Sequence, residues 1–124
     1  MAEPQLPTGG IRVSREFFEE LVVRALDSIP PELASRMDNV AVVVEAESEK
    51  PGSRHTLLGL YTGVPLTKRT GYPSAPDRIT IYQNPISGRC QTEQELAELV
   101  REVVIHEVAH HFGISDPRLR ELGW

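Results

Sequence analysis

Apolar positions recur along the first quarter of the chain with helical spacing. Phe17, Leu21, Val22, Ala25, Leu26 and Ile29 fall on one stripe, with Glu16, Glu19, Glu20 and Arg24 on the other side, the pattern of a helix with one buried face. Ser14 is placed to cap its start and Pro30-Pro31 to stop it. Phe17-Phe18 reads as core packing, for Phe17 at the least, and Glu32 to Met37 as a short second helical turn. The period then changes. Asn39 to Ala46 is β-branched and nearly continuous, which predicts a strand buried on both faces. Thr56 to Tyr61 gives a second strand interrupted by glycine, and Arg78 to Gln83 alternates Ile79 and Ile81 with Thr80 and Tyr82, a half-buried strand closed by Asn84-Pro85. Between these two, residues 62–77 hold three prolines and two glycines, and a loop of that length in a small domain is often functional. Thr92 and Glu95 form a capping box. The helix it opens carries Leu96, Leu99, Val100 and Val103 on one face. The expected fold is α+β: a small three- to four-stranded sheet packed against an N-terminal and a C-terminal helix.

The C-terminal helix runs into His106-Glu107-Val108-Ala109-His110, and the chain continues through Gly113 to Asp116, spelling H-E-x-x-H-x-x-G-x-x-D. Residues four apart on a helix lie one turn above each other. His106 and His110 can therefore aim two imidazoles at one Zn²⁺, and Glu107 between them is placed to hold a metal-bound water and accept its proton. A glycine three residues on can adopt a left-handed conformation, end the helix and reverse the chain. That delivers Asp116 towards the open side of the metal as a third ligand. Asp116-Pro117 followed by Arg118 to Leu122 also reads as an N-cap with proline in the first turn of a short last helix, so one carboxylate can cap, ligate or do both. His111 points about 100° away from His110 around the helix, which makes it the fallback ligand. The set leaves one zinc per chain with an open position.

The bulk numbers narrow the setting. With 124 residues the chain suits one domain; residues 1–10, rich in proline and glycine, read as a mobile arm and 11–124 as the domain. Thirteen basic against eighteen acidic residues give a net charge of −5, which argues against a phosphate-binding surface and hence a nucleic-acid partner. Glu45, Glu47 and Glu49 read as a solvated turn. Cys90 is the only cysteine, so no internal disulfide can form, and it reads as a loop thiol without a role. The first ten residues carry no basic or apolar segment of a signal peptide, and no run approaches the roughly 18 apolar residues that span a membrane. The expectation is a cytoplasmic protein.

On these residues the chain resembles the zincin metallopeptidases, and most of all the small bacterial zincin-like metallopeptidase family, sometimes called minimal zincins. The resemblance rests on His106-Glu107-x-x-His110-x-x-Gly113-x-x-Asp116 and extends loosely over a leading helix, a small sheet and a Gly-x-Tyr strand. It implies zinc held by His106, His110 and Asp116, Glu107 as general base, and a peptide or protein substrate. The Met-containing turn of metzincins has no counterpart in Pro117 to Trp124. An extended peptide is expected to pair with an exposed edge strand. A developing oxyanion needs a donor; Tyr72 in the long loop is the first candidate and Tyr61 the second. Two other readings stay open: a metal-bearing module that binds peptides or a partner without cleaving them, and a metal-dependent RNA endonuclease, against which Glu107 and the acidic charge argue.

Overall fold

Ser14 caps α1 (Arg15–Asp27), its Oγ accepting from the backbone of Phe17 at 3.0 Å. The computed structural model describes residues 10–37, 39–48, 57–63 and 77–122, less the side chains of Asp116 and Leu122. The expected arm over 1–10, apart from Gly10, and the loop over 62–77, apart from its ends, lie outside the described residues. The buried stripe of α1 runs through Phe18, Leu21, Val22 and Ala25. Phe18 is fully buried and Phe17 only half-buried, so of the aromatic pair it is the second that the core takes. The stripe is rotated because α1 packs mainly on another helix, and the line of contact is set by that partner. The two prolines follow the end of α1, and the short turn expected over Glu32 to Met37 is α2 (Pro31–Ala34), opened by Pro31.

Among the described residues three strands form one sheet: β1 (Val40–Glu45), β2 (Gly59–Thr62) and β3 (Asp77–Tyr82), in the order β1-β3-β2. β1 runs parallel to β3, pairing Val44 with Ile81, and β2 runs antiparallel to it, pairing Tyr61 with Ile79. This reverses the two burial expectations. β1, predicted to be buried on both faces, is an edge strand with Val44 alone buried; β3, predicted to be half-buried, is the centre and is buried from Ile79 to Tyr82. β-branched residues favour any strand, so the run in β1 reports propensity and not position in the sheet.

After β3 the chain makes one unpredicted helical turn, α3 (Gln83–Ser87). It carries Ile86 into the core and leads to Cys90, which is buried there and not displayed on a loop. Burial pushes the Cys90 thiol up, with Glu95 adding to the effect; a thiol held protonated is a poor nucleophile. The N-terminal segment lies along this turn, Ile11 donating its N–H to the Cys90 carbonyl at 2.8 Å. The long helix α4 (Glu93–His111) is capped by Thr92, whose Oγ1 accepts from the Glu95 backbone at 3.1 Å. Glu95 reaches back one residue further than the usual capping box, to the N–H of Gln91 at 2.7 Å. Leu96, Val100, Val103, Val104 and Val108 of α4 join the α1 stripe, Ile79 and Ile81 in one core. α4 thus lies against α1 and across β2 and β3, and its C-terminal end is held by both layers.

Candidate metal centre

The last two turns of α4 bring His106 and His110 together as their spacing predicts. Their ring centres are 4.9 Å apart with the planes at 77°. Two imidazoles that each place one nitrogen ~2.0–2.1 Å from a tetrahedral ion have ring centres about 5 Å apart, a separation this pair has. Imidazole and carboxylate donors are also the chemistry zinc takes in open sites. Among the described residues no group of three metal-ligating side chains converges. The Asp116 side chain lies outside those residues.

Glu107, between the two histidines in sequence, is buried, with 7% of its surface exposed. One oxygen lies 3.3 Å from His110 Nδ1. The opposite side of the carboxylate is covered by β2: a Cβ on Gly59 would stand 3.1 Å from Glu107 Cγ and 2.8 Å from Val103 Cγ1. The strand backbone comes this close to the helix only because Gly59 has no side chain. The site therefore has a dry flank at Glu107, under the outer strand of the sheet, and a wetter one at His110, whose side chain is 34% exposed. His106 also lines a groove of about 640 Å³, with Ile29, Leu33 and Ile105 on its apolar part and Glu98, Arg101 and Glu102 on its charged part.

The turn after the helix follows the sequence closely. Gly113 has φ +79, the left-handed conformation expected there. Its N–H bonds the His110 carbonyl and that of Ile114 bonds the Ala109 carbonyl, both at 2.9 Å, the paired bonds of a Schellman motif. The chain then enters α5 (Asp116–Leu122), and the cap belongs to the residue before Asp116. Ser115 Oγ accepts from Arg118 N–H at 3.4 Å, and the Ser115 carbonyl accepts from Leu119 N–H at 2.9 Å. Leu119 anchors α5, 1% exposed.

His111 is sealed in the core at 0% exposure, with Nδ1 2.8 Å from Oδ2 of Asp77. A histidine so enclosed is no ligand for an ion held at His106 and His110. Tyr61, the second candidate oxyanion donor, gives its hydroxyl proton to the same Asp77 oxygen at 2.6 Å; Tyr72, the first, lies outside the described residues. Nothing in the sequence singled out Asp77. It follows a Ser-Ala-Pro run and reads as an ordinary turn residue before a strand, and only the pairing of β3 with β2 and α4 reveals its partners. For His111 the doubled histidine of the motif was a signal, but its direction is decided by the tertiary structure.

The sequence model of the zincin-like metallopeptidase family matches residues 37–124. Among solved structures the chain is similar to a conserved hypothetical protein from Thermus thermophilus, at 24% identity and a TM-score of 0.56, over 89% of this chain and 97% of that one. That likeness speaks to the fold alone. No curated protein matches the sequence.

Proposed function

From a chain that belongs to the zincin-like metallopeptidase family, we propose a zinc-dependent peptidase in which His106, His110 and Asp116 hold the metal and Glu107 is the general base. The observation that carries this reading is the place of Glu107: a buried carboxylate 3.3 Å from His110, which is itself paired with His106, and set against the backbone of β2. Zinc in such a site supplies an activated water and polarises the scissile carbonyl. The protein's own groups do the rest. Glu107, shielded from bulk water, takes the proton from the attacking water and returns it to the leaving amine. Its contact with His110 orients both groups. Among the described residues β2 is an outer strand, and its edge is where main-chain donors and acceptors would meet an extended peptide, which needs little sequence selectivity; the apolar part of the groove beside His106 receives a side chain of the substrate. Tyr61 takes no part as an oxyanion donor here, since its proton is committed to Asp77; Tyr72 is the residue we assign that role. A peptide partner also suits a surface with a net charge of −5 better than a nucleic acid does.

Incubating the purified protein with a mixed peptide library tests the reading. Cleavage should occur with zinc present, stop on chelation and return when zinc is restored, with apolar residues enriched on one side of the cut. A zinc-loaded protein that cuts no peptide in the library would contradict it.

A further inference from the structure

Asp77 is 1% exposed, and its Oδ2 is the meeting point of three elements. β3 carries it. β2 reaches it through the Tyr61 hydroxyl at 2.6 Å, and α4 through His111 Nδ1 at 2.8 Å. Gly63, just past the end of β2, lies so close over the carboxylate that a Cβ there would run into it. The rings of Tyr61 and His111 also meet edge to face, with centres 5.7 Å apart. Facing a carboxylate oxygen, which accepts, Nδ1 is the donor of this pair, and Nε2 has no hydrogen-bond partner among the described residues. Two donors on one buried carboxylate oxygen, one from the outer strand and one from the metal-bearing helix, make a bridge that an apolar core could not make directional.

We propose that Asp77 is a positioning residue for the metal centre, clamping β2 to the end of α4 through Tyr61 and His111 and so fixing His110 and Glu107 against the outer strand. This rests on the peptidase reading for its purpose but not for its existence. His111 follows His110 directly, so a shift at one ring moves the backbone of the other. The clamp lies at the C-terminal end of α4, and the Gly59 contact holds the same helix against β2 one to two turns earlier, at Glu107 and Val103. Together the two contacts set both the separation and the tilt of helix and strand, and so the position of the edge of β2 relative to His110 and Glu107.

The test compares Tyr61→Phe, His111→Phe and His111→Asn with wild type, below the melting temperature of each. Asparagine keeps a donor near the place of Nδ1, whereas phenylalanine fills the space without one. Loss of a supporting hydrogen bond around a metal site commonly weakens metal binding about 10- to 100-fold. His111→Phe should therefore lose zinc affinity about tenfold or more, with His111→Asn within about threefold of wild type. Tyr61→Phe keeps the ring and is the variant on which the test rests if His111→Phe does not fold. Amide exchange of the metal-free proteins is the second readout. Tyr61→Phe should speed exchange along β2 and residues 107–112 by roughly fivefold, the usual worth of one hydrogen bond, and leave α1 unchanged. That pattern in a protein that binds no zinc would sink the metal reading and keep the clamp. Unchanged exchange at β2 and α4, or zinc affinity equal to wild type in both phenylalanine variants, would overturn it.

Discussion

Asp116 is the residue on which the ligand set turns, and Ser115 now makes it testable. If capping were the whole role of this segment, Ser115→Ala would be the damaging change, at about 1 kcal/mol for a lost cap. If Asp116 ligates, Asp116→Ala should leave stability of the metal-free protein nearly unchanged and weaken zinc binding by tenfold or more, about 1.4 kcal/mol or above. Competition with a chelator reads the affinity and urea denaturation the stability. Equal zinc affinity in wild type and Asp116→Ala would remove Asp116 from the site. The residue scale also marks what could be read in advance. His106, Glu107, His110 and Gly113 act through spacing along one helix and its turn, which sequence displays directly. Asp77 acts across 34 residues on His111, and no local pattern carries such a pairing. The same holds for Ser115, where a shift of one position changed the meaning of its neighbour.

At the scale of elements, the contact of β2 with α4 is the feature that shapes the site. A methyl group at Gly59 would meet Val103 Cγ1 at 2.8 Å and Glu107 Cγ at 3.1 Å. Gly59→Ala should therefore destabilise the protein by about 1–3 kcal/mol, the range for overpacking, seen as a lower urea midpoint with little change in its slope. Val103→Ala added to it should give back part of the loss, because the two changes share one space and are not additive. A fully additive double variant would mean that strand and helix are not in contact there. The two long helices α1 and α4 were legible, caps included, since Ser14, Thr92 and Gly113 each act on the turn beside them. The strands were legible as strands. Which of β1 and β3 lies at the centre was not, because edge and centre are settled by pairing with distant residues. The turn α3 escaped because Asn84-Pro85 reads as a stop, although proline is well tolerated in a helix's first turn.

For the whole molecule, the architecture is one core with the site at its margin. α1, β3 and α4 share the buried residues, so the helix that carries the motif is among the most firmly held parts of the chain. Metal ligands on a rigid element are fixed in place before the ion arrives. No helix among the described residues is long and apolar enough to cross a membrane. What separates an enzyme from a metal-bearing scaffold is then one carboxylate. The most direct measurement is zinc content and peptide hydrolysis, made together on wild type and Glu107→Gln. Glu107 is assigned no ligand bond, so the Gln variant should keep about one zinc per chain. Lacking the proton acceptor, it should hydrolyse peptides about 10²-fold or more slowly. Hydrolysis at the wild-type rate in the zinc-loaded Gln variant would contradict the assignment.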